Sequence, residues 1–153
     1  MPGPRYLALI GLLRTAETLW NASRAFFARW DLSPSQFNIL NLLEEQPEGF
    51  SQISLSRQLI MHRSNITGLV DRLEGRGLVR RVENPRDRRA FNVVLTPAGK
   101  KLIRSIQPHY YEAAEIVWNG IPVERARQIL AELQAISESA ERVAAVKLPG
   151  KSK

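Results

Sequence analysis

No cysteine occurs anywhere in the 153 residues. That excludes disulfides, thiolate metal ligands, a cysteine nucleophile and thiol-based redox sensing, and it agrees with a reducing cytoplasm. Histidine is scarce: His62 and His109 are the only two, and neither has a carboxylate at a spacing that suggests a dyad. Glycine-rich phosphate loops, a dinucleotide glycine pattern and His/Asp/Glu clusters at metal-ligand spacing are all missing. These absences argue against an enzyme and against any cofactor or metal. The apolar run Tyr6–Leu13 is far short of the ~20 residues of a membrane span. Arg14, Glu17 and Arg24 follow closely without a small-residue cleavage site, so neither a membrane anchor nor a signal peptide is expected.

Lysine is absent from one stretch in particular. Between Ser51 and Thr96 there are nine arginines and four acids (Asp71, Glu74, Glu83 and Asp87), a net +5 of the chain's +7. A mildly basic protein usually just carries a solvated cationic surface. Arginine without lysine, concentrated in one segment, points instead to groups that its planar fork matches: phosphates and guanine edges.

The same stretch has the most regular patterning. Ile66, Leu69, Val70 and Leu73 fall at i, i+3, i+4 and i+7, one apolar helical face. Ser64, Thr67, Gly68 and Asp71 lie opposite, with Arg63 and Asn65 at the helix start. That second face is small or hydrogen-bonding, suited to a groove, and Gly77 is the left-handed stop. Upstream, Ser51 caps a short helix through Leu59, so two helices meet near Ile60-Met61-His62. Downstream, Leu78–Glu83 and Ala90–Leu95 read as strands around a cationic turn, Asn84 to Arg89. Helix, turn, helix and basic hairpin make a winged helix-turn-helix pattern. Its second helix would enter a DNA major groove, and its hairpin tip would reach the backbone or the minor groove.

The run Asn65-Ile66-Thr67-Gly68-Leu69-Val70-Asp71-Arg72-Leu73-Glu74 is followed by Gly77-Leu78-Val79, Asp87-Arg88-Arg89 and Leu95-Thr96-Pro97-Ala98-Gly99. In order and spacing these blocks resemble the MarR family of bacterial transcriptional regulators, and the likeness covers nearly the whole chain. The resemblance implies a homodimer on a pseudo-palindromic operator, often released by a small molecule. Ile60, Ser56, His62 and Gly68 depart from the residues common in the family; they bear on the operator sequence rather than on the fold.

Around this centre the chain is helical. Arg5 to about Trp30 is amphipathic with a wide apolar face. Ser33-Pro34-Ser35-Gln36 carries a capping box and opens a helix to about Gln46. Thr96-Pro97 repeats the cap-then-proline start of a helix toward Asn119, with Pro108 expected to bend it. A final helix bears Ala126, Ile129, Leu130, Leu133, Ile136, Ala140 and Val143, nearly a heptad stripe. The fold expected is mainly α with a small β-hairpin wing (α+β). Residues 33–96 form the winged domain, 1–32 and 97–148 a helical dimerisation region, and 149–153 a disordered basic tail. The apolar faces of the terminal helices fit either an intrachain bundle or a subunit interface; operator symmetry favours the interface.

The candidate DNA contacts are Ser51, Gln52, His62, Arg63, Ser64, Asn65, Thr67, Gly68, Arg86, Arg88 and Arg89. Asp87, which should avoid phosphate, is expected to pair with Arg88 or Arg89 and stiffen the wing. An effector cleft is expected where the first helix meets the Ser33–Gln46 helix and the helix after Thr96. Arg14 would serve there as anion partner, Trp20 and Trp30 as walls and Tyr110 as a polar-tipped aromatic; the resemblance points to small aromatic acids. The rival reading is a winged helix used for protein contacts or for structure-specific nucleic acid.

Overall fold

The computed structural model describes residues 1–59 and 63–145, apart from the side chains of Arg63 and Ser64. The predicted turn Ile60-Met61-His62 and the predicted tail lie outside the described residues. Helix α1 spans Pro4–Phe27 and passes into a 3-10 turn, Ala28–Trp30. Then come α2 (Pro34–Glu45), β1 (Phe50–Ser51), α3 (Gln52–Gln58), α4 (Arg63–Gly75), β2 (Val79–Asn84), β3 (Asp87–Leu95), α5 (Pro97–Val117) and α6 (Val123–Ala145). The three strands form an antiparallel sheet in the order β1-β3-β2. This is a winged-helix fold, mainly α with a small sheet. None of its described helices is long and apolar enough to cross a membrane.

Local chemistry sets the helix ends. Ser33 accepts from the Gln36 amide at 3.1 Å while Gln36 Oε1 accepts from the Ser33 amide at 2.9 Å, so the capping box is closed in both directions. Ser51 caps α3 by accepting from the Ser54 amide. Past α4, Gly77 takes φ 70°, and Leu78 N–H returns to the Leu73 carbonyl. The predicted first helix is shorter than expected as an α-helix, because its last turn tightens to 3-10 and Asp31 then turns left-handed at φ 54°. Helix α5 continues through Pro108 to Val117.

The chain divides into two compact units, Met1–Gln107 and Pro108–Lys153. The core of the first is built from the end of α1, the helices α2 to α5 and the strands β2 and β3. Phe27 stacks on Phe37 at 4.2 Å. Ile39, Leu40 and Leu43 of α2, Ile66, Val70 and Leu73 of α4, Val93 of β3, and Ile103 and Ile106 of α5 are all sealed from solvent. Gly99 lets α5 sit against the sheet, since a Cβ there would lie 2.0 Å from the Leu78 carbonyl oxygen. The second unit holds the end of α5 and α6, and no described residue of α6 is buried.

The wing is tighter than predicted. Its strands extend into the stretch expected as loop and leave a two-residue connection, Pro85-Arg86, between paired Asn84 and Asp87. Asn84 Oδ1 accepts from the Arg86 amide at 2.9 Å and Asp87 Oδ1 from the Arg89 amide at 2.9 Å. These side-chain turns, with the fixed φ of Pro85, close the hairpin. A register shift at Glu83/Asn84 accommodates the closure. The sheet also holds a strand not foreseen, β1, with Phe50 opposite Val93 and Ser51 opposite Asn92.

Candidate nucleic-acid interface

Helix α4 presents two faces. Ile66, Val70 and Leu73 are buried, Leu69 is half-buried, and Asn65, Thr67 and Asp71 are exposed. Gly68 is half-exposed, and a Cβ built on it meets nothing within 4 Å. That outer face stays open because its residues are short. Thr67 Oγ1 donates to Gln52 Oε1 at 3.1 Å, which ties the face to the start of α3. His62 lies outside the described residues, as do the side chains of Arg63 and Ser64.

At the wing tip, Arg86, Arg88 and Arg89 are exposed, and among the described residues no group accepts a hydrogen bond or ion pair from their guanidinium groups. Their backbone is held by other means. Asn84 Nδ2 donates to Asn92 Oδ1 at 3.1 Å, and Asn92 Nδ2 donates to the Glu48 carbonyl at 3.2 Å. Asp87 meets the Arg89 amide rather than the guanidinium of Arg88 or Arg89 that was expected. The correction has a simple cause: a hairpin this short brings the amide two residues on within reach, while the long side chains project into solvent.

Between the wing and the start of α3 lies an open cleft of about 440 Å³. It brings together Ser51, Gln52 and Arg89 of the anticipated set with Arg81, Ile53 and Phe91. Phe91 is 54% exposed, a large apolar side chain left at the surface among cations.

Arg81 went unrecognised in the sequence. Its Nη2 donates to Asp71 Oδ1 at 2.5 Å, its Nη1 meets Glu74 Oε2, and its amide donates to Glu74 Oε1 at 3.1 Å. The hydrogen bond to Asp71 is the main cause of a guanidinium pKa raised above the usual arginine value. Asp71, expected on the free groove face of α4, is thus engaged with the sheet. Strand alternation was the available signal: Arg81 shares a face with Val79, which is buried. Arg76 also has protein partners, the carbonyl oxygens of Asp31 and Trp30. Two of the nine arginines of the central stretch are therefore spent inside the fold.

The effector candidates differ in exposure. Arg14 is exposed, Trp20 is 47% exposed, and Trp30 is half-buried with its ring 5.4 Å from Phe26. All three belong to the first unit, whereas Tyr110, half-buried, belongs to the second. A cavity of about 320 Å³ at the junction of α1 and α2 is lined by Arg24, Asp31, Ser33 and Gln36 among others, and by none of the four candidates.

The sequence profile of the MarR family matches residues 32–91, from the start of α2 into β3. The HTH-type transcriptional regulator FarR of Neisseria gonorrhoeae is 31% identical over 133 residues, covering 85% of this chain and 90% of that protein. The chain belongs to the MarR family. It is a transcriptional regulator with a DNA-binding winged helix. Another match is the homoprotocatechuate degradative operon repressor of Escherichia coli, 28% identical over 78% of this chain and 80% of its own. Among solved structures, Bordetella bronchiseptica BpsR, described in terms of regulation of its DNA binding by 6-hydroxynicotinic acid, superimposes with a TM-score of 0.74. It is 25% identical, over 83% of this chain and 91% of that one.

Proposed function

We propose that this MarR-family protein is a cytoplasmic homodimeric repressor that binds a pseudo-palindromic duplex operator. Helix α4 enters the major groove with Ser64, Thr67 and Gly68 toward base edges and His62, Arg63 and Asn65 at its start. Ser51 and Gln52 meet phosphate. Arg86, Arg88 and Arg89 reach into or across the minor groove, where a narrow A·T-rich tract attracts arginine. The observation that carries this reading is the pairing of an exposed, short-chained face of α4 with three exposed wing arginines whose guanidinium groups have no acceptor among the described residues.

Residues 1–32 and 97–148 form the dimerisation region in this reading. Support comes from apolar side chains that the single chain leaves uncovered: Tyr6, Leu7, Leu9 and Leu13 on α1, and Leu130, Ile136 and Val143 on α6. Large apolar side chains left exposed along a helix are characteristic of association. Repression has support from the name of the Escherichia coli relative, and a small aromatic or phenolic effector from the description of BpsR.

The test is a salt titration of DNA binding with the Arg86→Ala/Arg88→Ala double variant. Affinity should fall on every duplex alike, and the slope of log K against log salt should shrink by about one per lost phosphate-type contact. Unchanged affinity and slope would overturn the assignment of the wing to DNA.

A further inference from the structure

We propose that Arg81 is a positioning residue for base recognition: it touches no DNA but clamps the recognition helix to the root of the wing through Asp71 and Glu74. The inference rests on the reading of α4 and the wing as the DNA-binding surface.

Charge comes first. Arg81 lies in the cleft between the wing and α3, where an arginine would ordinarily be assigned to phosphate. Here two carboxylates surround one guanidinium. Asp71 is the more exposed of the acids, its side chain 59% accessible against 26% for Arg81. A phosphate approaching Arg81 would meet the Asp71 carboxylate as well, and the cluster as a whole is anionic. The charge of Arg81 is therefore already balanced within the protein, with none left over for a phosphate.

Geometry supplies the role. Asp71 stands one helical turn beyond Thr67 on the exposed side of α4. Thr67 is bonded to Gln52 of α3, and Asp71 to Arg81 of β2. The base-facing side of the helix is therefore fixed at two successive turns, to two different elements. Arg81 is itself anchored, since its amide bonds Glu74 and its backbone pairs with Val93, which is sealed in the core on the central strand. Partly exposed ion pairs add little to stability. A small misplacement of a side chain at a base edge, by contrast, forfeits discrimination. The clamp thus matters more for the spacing between α4 and the wing tip than for keeping the chain folded.

The two roles open to Arg81 predict opposite results. The experiment uses the full-length protein, its best genomic duplex, and the same duplex with one half-site scrambled. It compares Arg81→Gln, Arg81→Lys and the double variant Asp71→Asn/Glu74→Gln. The double variant removes two negative charges from a DNA-facing surface, yet its preference for the true site should fall by about tenfold. Arg81→Gln should lose preference to the same extent with its salt slope unchanged to within about half a unit, and Arg81→Lys should recover part of it. Thermal midpoints of all three should stay close to that of the parent, which a purely structural role would not allow. Two outcomes overturn the proposal: a slope lowered by about one in Arg81→Gln with preference intact, or tighter binding by the double variant with preference intact. A parent protein that prefers no duplex over another would overturn the DNA reading itself, and this proposal with it.

Discussion

Arg76, one residue beyond α4, donates from Nη1 to the Asp31 carbonyl oxygen at 2.5 Å, and its Nη2 reaches the Trp30 carbonyl at 3.2 Å. Those carbonyls close the first helical segment, where oxygens at a helix end otherwise lack donors. One guanidinium therefore caps the 3-10 turn that follows α1 and joins it to the end of the recognition helix. A cation at a helix C-terminus adds to the effect.

Replacing Arg76 by Ala should destabilise the protein by about 1 kcal/mol, since the contacts are charge-assisted but solvent-exposed. For a chain of this size that lowers the thermal midpoint by roughly 2–4 °C. The salt slope of DNA binding should be unaltered, because Arg76 is committed to the protein. A normal midpoint together with a reduced slope would place Arg76 on DNA instead.

Gly68 offers the reverse effect. It sits in the middle of α4 with open space where a Cβ would go, so Gly68→Ala should raise stability by up to about 1 kcal/mol through helix propensity. The added methyl faces the groove, and base preference near it should shift, with thymine methyl contact favoured. Thermal melts and a competition series with single base-pair changes measure the two effects separately. A destabilised Gly68→Ala would show that the outer face of α4 is covered.

Much of this was legible before any coordinates. Ser33, Pro34 and Gln36 announce the start of α2, and Gly77 the end of α4, because capping and left-handed turns are decided within a few residues. The helical spacing of Ile66, Val70 and Leu73 announces the buried face for the same reason. Strand β1 was not legible: two residues carry no periodicity, and it exists only because Val93 and Asn92 lie opposite. Nor were the partners of Arg76 and Arg81, the first of which bonds 45 residues away. An arginine count reads charge, whereas only the packed fold assigns each charge a neighbour. The wing turn fell between these cases: its residue types were plain, but its closure depends on side-chain bonds from Asn84 and Asp87 that shorten the loop.

Removing residues 122–153 deletes α6 and should expose whatever Leu130, Leu133 and Ile136 pack against in the proposed dimer. The truncated protein should run as a monomer or aggregate, and its operator affinity should drop by well over about tenfold through loss of two-site binding. Light scattering of the intact protein at micromolar concentration should return a dimer. A clean monomer with full operator affinity would contradict the assignment of the terminal helices.

A ligand shifts DNA binding only if it prefers one arrangement of the two winged domains. A small aromatic carboxylate at millimolar concentration should weaken operator binding, and Arg14→Ala should blunt that response without changing unliganded binding. With no cysteine in the chain, peroxide should not act through a thiol. A panel of aromatic acids producing neither release from operator nor a thermal shift would remove the effector from the account.

The most direct measurement is a competition gel shift in which the intact protein chooses between genomic fragments and random duplex, followed by footprinting of the winner. The account predicts one strongly preferred fragment, protected over two inverted half-sites whose centres lie about 34–36 Å apart. Equal binding to every duplex, with no footprint, would contradict it.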